Sequence, residues 1–343
     1  MVRVVAYAHE LEDSWAEYVQ NTESSNISHR LEWRYVISES LGHRPRYLVA
    51  LDDSKVVGIL PLFVVTTWWR AKYIVSVPWL DYGGVVADSD DVEILLLDEA
   101  RRITEEEGAK FLELRSVSAG SVKMEERLDK ASFILKLTDN SEDLWKSFNA
   151  KLRNQIRKAQ KSQLYTEIGG VELLDGFYDV FSRNMRDLGT PVWGKDFFRR
   201  ILSAFPQSAE IIQVKKDEDV VAGGLILSFK KSQYVPSASS LRSFINLCPN
   251  HALYWSVIAR ACESRFDYFD FGRSSWDSGT FNFKKQWGAE PTQLVWQYHL
   301  NKATEVPLIS PDNRKYRTVI GLWKKLPLGL ANYLGPKLIR SFP

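Results

Sequence analysis

The feature that most constrains this chain is an internal repeat. "YLVALDDSKVVGILPLFVV" (Tyr47 to Val65) reads as an apolar run, a charged tip at Asp52-Asp53-Ser54-Lys55, and a second apolar run. That is the pattern of a hairpin. "IIQVKKDEDVVAGGLILSF" (Ile211 to Phe229) repeats it around Lys216-Asp217-Glu218-Asp219. The match continues downstream, where "LLDEARRITEEEGAKFLELR" (Leu97 to Arg115) and "WSVIARACESRFDYFDFGR" (Trp255 to Arg273) both read as an amphipathic helix followed by a short strand. Both correspondences have an offset of roughly 160 residues, about the size of one domain, so duplication of one α/β unit is the economical reading. The plain alternative is a coincidence of two common hairpins. A length of 343 residues fits two cores better than one.

Each half therefore reads as a mixed sheet flanked by helices. "SHRLEWRYVISESLG" (Ser28 to Gly42) predicts a helix with Ser28 as cap and Gly42 at the stop. "SEDLWKSFNAKLRNQIRKAQKSQL" (Ser141 to Leu164) predicts one continuous helix, since Leu144, Phe148, Leu152, Ile156 and Ala159 keep helical spacing. The boundary between halves falls near Leu137–Ser141, giving 1–138, 139–303 and a tail, 304–343. The tail starts as a proline-punctuated linker and then interleaves Leu322, Trp323, Leu326, Leu330 and Leu334 with Lys324, Lys325, Lys337 and Arg340. Such a mixture docks a helix onto its own domain or lies on an anionic membrane surface, docking being the plainer expectation.

A net charge of +2 excludes an overall polycation, so any polyanionic partner must meet a local basic patch. Acids and a tryptophan occupy the place of a signal peptide's apolar segment, and Val56 to Trp69 is too short to span a bilayer. Two cysteines make no disulfide framework, which suits a reducing cytoplasm. The five histidines show no ligand spacing, and no metal site is expected.

Four stretches carry candidate chemistry. "NAKLRNQIRKAQKSQ" puts Lys151, Arg153, Arg157, Lys158 and Lys161 within three helical turns without an acid, either a phosphate-binding face or a solvated one. "VPWLDYGGVV" brings Asp81 and Tyr82 to a Gly-Gly corner that suits a ligand as well as a turn. "LCPNHALYW" offers Asn250 as a helix N-cap beside free amides, with Tyr254 facing core or cleft. "FDYFDFGRSSWDSGTFNFKKQWGAEPTQLVWQYHL" (Phe266 to Leu300) reads as strand, polar loop and strand, crowding Arg273, Ser274, Phe283, Lys284, Lys285 and Trp287 together. A lysine beside aromatic rings is less well solvated and can stabilise developing negative charge. A surface lysine is the bland alternative.

Taken in order, "VPWLDYGGV", "KLRNQIRKAQKS", "NMRDLGTP", "PNHALYW" and "DFGRS…GTFNFKKQWGAEP" resemble the FemA/FemB-related proteins, double-domain members of the GNAT acyltransferase superfamily. The resemblance spans nearly the whole chain. It implies an α/β (α+β) fold of two tandem GNAT-like domains, each a mixed sheet flanked by helices, plus a C-terminal helical tail. It also implies transfer of an aminoacyl or acyl group to an amine on a cell-envelope precursor such as that of peptidoglycan. The co-substrate would be aminoacyl-tRNA or acyl-CoA, with no permanently bound cofactor. In the Fem pattern a Phe-Lys pair supplies the lysine that stabilises the tetrahedral intermediate, and Phe283-Lys284 matches it, with Lys285 one residue away.

Asp81, Tyr82, Arg157, Asn250, Tyr254, Arg273, Ser274, Phe283 and Trp287 are the expected substrate-binding residues. The chain lacks the long helical-hairpin arm of the better-known Fem proteins, which puts tRNA in doubt. It equally lacks the Arg/Gln-x-x-Gly-x-Gly/Ala loop of CoA-dependent GNAT enzymes at "LRSFINLCPNHAL". A third reading is a non-catalytic GNAT pair serving as a binding module in polysaccharide or envelope assembly. The expected setting is the cytoplasm, with a small-molecule or lipid-linked amine as acceptor and peripheral contact with the inner face of the membrane through the tail.

Overall fold

In a computed structural model that describes residues 1–117, 120–307 and 314–342, the repeat is one of topology. The chain forms two units, one made of 1–131, 293–308 and 340–343, the other of 132–292 and 309–339. The first unit begins β1 (Val2–Ala6), α1 (Glu12–Asn21), α2 (Glu32–Leu41), β2 (Arg44–Pro45), β3 (Leu48–Asp52), β4 (Lys55–Leu60), β5 (Leu62–Thr66) and β6 (Lys72–Ser76). It continues with β7 (Val86–Ala87), α3 (Asp90–Glu106), β8 (Phe111–Ser116) and β9 (Glu125–Arg127). Then come β10 (Lys130–Lys136), α4 (Ser141–Ser147), α5 (Ala150–Lys161), β11 (Leu164–Gly169), α6 (Leu174–Leu188), α7 (Lys195–Ala204), β12 (Ala209–Lys216), β13 (Asp219–Phe229) and β14 (Ser232–Ser240). The chain closes with α8 (Pro249–Glu263), β15 (Tyr268–Ser275), α9 (Gly279–Lys285), β16 (Glu290–Gln293), β17 (Val295–Leu300), α10 (Arg314–Trp323) and α11 (Leu328–Ile339).

Both hairpins form, β3–β4 and β12–β13, each with a left-handed aspartate in its tip, Asp53 (φ 54°) and Asp217 (φ 53°). Each carries a register shift just before the tip, between Ala50 and Leu51 and between Val214 and Lys215. In each unit a helix then connects two parallel strands: α3 between β6 and β8, α8 between β14 and β15. One difference follows from Pro61, which has no N–H for a ladder. The run from Val56 splits there into β4 and β5, in a four-stranded sheet (β1-β3-β4-β7) and a six-stranded one (β2-β5-β6-β8-β17-β9), whereas β13 runs unbroken. The second unit has a single seven-stranded sheet, β11-β12-β13-β14-β15-β10-β16.

α3 forms where its pattern demands it. Ser89 accepts a hydrogen bond from the Val92 amide, acids fill the first turn, and Leu96, Ala100 and Ile103 bury one face against Leu60, Leu62, Ile74 and Leu112. Phe177, Phe181 and Phe198 of α6 and α7 pack ring to ring over β12 and β13. Each such buried side chain contributes about 1.5–3 kcal/mol.

Two helix expectations need correction. Residues 141–164 hold two helices rather than one, because Asn149 turns extended and its side chain accepts from the Leu152 amide, starting α5 afresh. Ser28 sits inside a short 3-10 turn capped by Asn26, although Gly42 does end α2 in the left-handed region (φ 71°). The tail packs on the second unit: Trp323 and Ala331 are buried, Asn332 donates to Ser182 Oγ at 3.3 Å, and a Cβ on Gly335 would come within 2.8 Å of Val192. Most of the linker expected before it, 308–313, lies outside the described residues.

Candidate active site

Pairing between β14 and β15 ends at Tyr234 and Asp270. Two residues on, β15 kinks at Gly272, whose φ of 71° is readily adopted only by glycine. The buried Asp270 carboxylate holds the kink by accepting from the Gly272 amide at 2.7 Å. The polar loop expected next is the short helix α9, started by Ser278, whose Oγ accepts from the Phe281 amide. Helical spacing puts Phe281 and Lys284 on the inner side and leaves Lys285 exposed. Lys284 is 7% exposed, and its Nζ donates to the carbonyls of Gly272 (3.0 Å) and Arg273 (2.7 Å). The Phe133 ring of β10 lies beneath its ammonium, 6.0 Å away.

Phe283 and Trp287 belong to a neighbouring aromatic cluster. The Trp287 ring lies 5.7 Å from Phe148 and 6.1–6.2 Å from His251, Tyr254, Phe271 and Phe283. From Phe148 the contacts continue through Trp255 to Trp145, and the Arg157 guanidinium stands 5.3 Å over the Trp145 ring. Arg157, Tyr254, Phe283 and Trp287, far apart in sequence, thus share one network. Ser274 Oγ and Trp287 Nε1 are among the side-chain atoms buried here without a hydrogen-bond partner among the described residues. Such atoms are uncommon in folded proteins.

His251 was missed, having been considered only as a metal ligand. It stands beside Trp287 and Phe283, its Nε2 is 3.3 Å from Gln286 Nε2, and burial lowers its pKa to about 4, so the ring is neutral near pH 7. Its only sequence signal was its place in the first turn of the helix ahead of Tyr254. Tyr254 is buried, and burial raises its hydroxyl's pKa. Asn250 is not the N-cap of α8: Cys248 is, in the left-handed region (φ 62°), with Pro249 and Asn250 after it. The amides of His251 and Ala252 are bonded back to the Cys248 carbonyl. On α5, Lys151, Arg157, Lys158 and Lys161 are exposed, and neither they nor Arg153 forms an ion pair among the described residues.

Asp81 and Tyr82 belong to the first unit, both 6% exposed, in the loop that leaves β6. Tyr82, Gly83, Gly84, His29, Arg115 and Ser116 help line a cavity of about 440 Å³, which Asp81 does not reach. Gly84 packs close to Ser116, where a Cβ would meet the serine Oγ at 2.5 Å and its Cα at 3.4 Å. Among the described residues no group of three or more His, Cys, Asp or Glu is placed to hold a metal ion, and no helix is long and apolar enough to cross a membrane.

Residues 146–285 match the family model described as an acetyltransferase (GNAT) domain, the segment that runs from α4 to the end of α9. Among solved structures the chain is similar to FemX, 16% identical over 93% of this chain and 100% of that one, with a TM-score of 0.67. It is also similar to the tandem GNAT protein from the clavulanic acid biosynthesis pathway (10% identity, 89% and 100% covered, TM-score 0.55) and to L-PGS from Bacillus licheniformis (11%, 89% and 98%, 0.52). No curated protein matches it by sequence. The chain has the tandem GNAT fold of the FemA/FemB-related proteins, as the motifs implied. That fold is the GNAT acyltransferase type, α/β with sheets flanked by helices.

Proposed function

We propose that the protein is an N-acyltransferase that moves an aminoacyl or acyl group from an activated donor to an amine, with Lys284 as the catalytic residue. The observation that carries this is the buried Lys284 ammonium, fixed by the Gly272 and Arg273 carbonyls. The amine nitrogen attacks the acyl carbonyl carbon, a C–N bond forms, and the ester C–O bond breaks. The proton lost by the amine ends on the leaving hydroxyl. Lys284 holds the oxyanion meanwhile, a role that a fixed cation in a partly dry site performs without reorganising. Alignment of the two substrates supplies the rest, with no covalent enzyme intermediate.

Arg273, Ser274, Tyr254, Phe283 and Trp287 would receive the acyl donor's reacting end, and Arg157 a phosphate. Asn250 would line the same site, and Asp81 and Tyr82 would bind a substrate within the first unit. Aminoacyl-tRNA is the favoured donor. Its support is the start of α8, where a pyrophosphate would need free amides and those of His251 and Ala252 are bonded internally. Acyl-CoA is the second reading, favoured by the GNAT model match over 146–285. The acceptor would be a small-molecule or lipid-linked amine of a cell-envelope precursor, with the enzyme working in the cytoplasm at the inner face of the membrane. Purified protein is incubated with labelled aminoacyl-tRNA or acyl-CoA and a panel of amines. Label should pass to an amine from one donor and fail to pass with Lys284→Met, while silence from both donors favours a binding module instead.

A further inference from the structure

The strands β5 and β6 are joined by a turn that is tied tightly. Thr67 N and Ala71 N donate to Ala71 O and Thr67 Oγ1, each at 2.9 Å, and Arg70 sits in the left-handed region (φ 64°) with its amide on Thr67 O. At its tip Trp68 and Trp69 are 68% and 47% exposed, their rings edge to face at 5.4 Å, whereas Trp15, Trp33 and Trp287 are fully buried. The last residues of the chain brace this tip. Trp68 N donates to Ser341 Oγ at 3.3 Å, the Tyr73 hydroxyl donates to Ser341 O, and the Phe342 ring lies 6.4 Å from that of Trp69. A turn this constrained presents its two tryptophans outward as a fixed feature.

The tail that ends there is charged in one sense. From Val306 to Pro343 it has seven Lys and Arg against one acid, Asp312, in a chain whose net charge is only +2. In α11, Ala331 and Gly335 turn inward while Leu330, Tyr333 and Lys337 share the opposite face. Val319 and Leu322 of α10 are likewise exposed, followed by exposed Lys324 and Lys325. Docking of the tail therefore uses one face and leaves a second, apolar and basic.

We propose that the Trp68–Trp69 tip with Phe342 in the first unit, and the outer face of α10 and α11 in the second, are each by themselves an interfacial anchor for an anionic lipid bilayer. Tryptophan rings settle at headgroup depth, and a basic, apolar helix face lies in the same layer. Charge complementarity selects the occupant, since lipid phosphates match the lysines. The anchor does not rest on the transfer reading.

Its test is sedimentation of the full chain with phosphatidylglycerol-containing vesicles and with pure phosphatidylcholine vesicles, read together with tryptophan quenching by brominated lipids. The chain should bind the anionic vesicles, its fluorescence should be quenched, and high salt should weaken the binding. Trp68→Ala/Trp69→Ala should weaken it about tenfold or more with the thermal midpoint unchanged, and Lys324→Glu/Lys325→Glu several-fold, mainly at low salt. Lys284→Met should bind as the unaltered chain does, which separates failure of the anchor from failure of the transferase reading. Absence of binding by the unaltered chain, unquenched tryptophans, or equal binding by the double tryptophan variant would overturn the proposal. So would retention on an immobilised glycan with no affinity for vesicles.

Discussion

The two units finish the same parallel strand pair in opposite ways. In the first, pairing of β6 with β8 ends at Val75 and Glu113; in the second, pairing of β14 with β15 ends at Tyr234 and Asp270. Both acids are buried. Glu113 spends its carboxylate on side chains, accepting from Arg115 Nε at 2.9 Å and from the Tyr298 hydroxyl at 2.8 Å, while Arg115 Nη1 donates to Leu80 O. Asp270 instead accepts from the backbone amide of Gly272. Aligned on these acids, "LELRS" and "FDFGRS" differ by one inserted residue, Gly272. An extra residue in a strand kinks it and turns backbone groups off the ladder. In the first unit the strand end is closed by a guanidinium, and in the second its carbonyls hold an ammonium brought by α9. One insertion separates a strand end closed by a guanidinium from one that holds a buried lysine ammonium.

The largest effect should come from breaking the closed end. Arg115→Met leaves Glu113 charged and buried, which should cost about 3–5 kcal/mol of stability, read as a lower denaturation midpoint at an unchanged denaturant slope. A loss below about 1 kcal/mol would mean the pair is not the closure described here. Lys284→Met comes next: kcat should fall about 10²–10³-fold with KM little changed, while Lys285→Met should stay near the unaltered rate. If the two variants exchange ranks, the catalytic assignment moves by one residue.

Gly272→Ala tests the insertion itself. A Cβ at φ 71° should cost about 1–2 kcal/mol and lower kcat more than it raises KM, because the carbonyls that fix Lys284 shift. Unchanged stability and rate would show that the kink is incidental. The smallest effect belongs to the basic face of α5. Arg157→Glu/Lys158→Glu should weaken binding of a phosphate-bearing donor several-fold at low salt and hardly at high salt. Equal affinity at low salt would reduce that face to a solvated one.

Several of these features were legible because they are local. A hairpin tip such as Asp52-Asp53-Ser54-Lys55 announces itself by charge between apolar runs, and Gly42 ends a helix through its own backbone freedom. The helix start at Asn149 was also local in cause, but its signal was outvoted by apolar spacing that ran straight through the break. Helix α9 escaped because seven residues flanked by two strands carry too few apolar positions to show a period.

The sequence by itself determined the repeated hairpins and the amphipathic helices, since each depends on neighbours within a few positions. The tertiary structure alone decided which strands complete which sheet. "PTQLVWQYHL" reads as one strand, yet it divides at Leu294 into β16, which joins the second unit's sheet, and β17, which pairs with β8 and β9 in the first. Likewise β10, which the sequence places inside the first half, 1–138, lies beside β15 and brings Phe133 beneath the Lys284 ammonium. Alternation along a strand records which face is buried but not which edge it pairs with, because backbone hydrogen bonds are the same for every residue. That choice is made by the packing of whole elements.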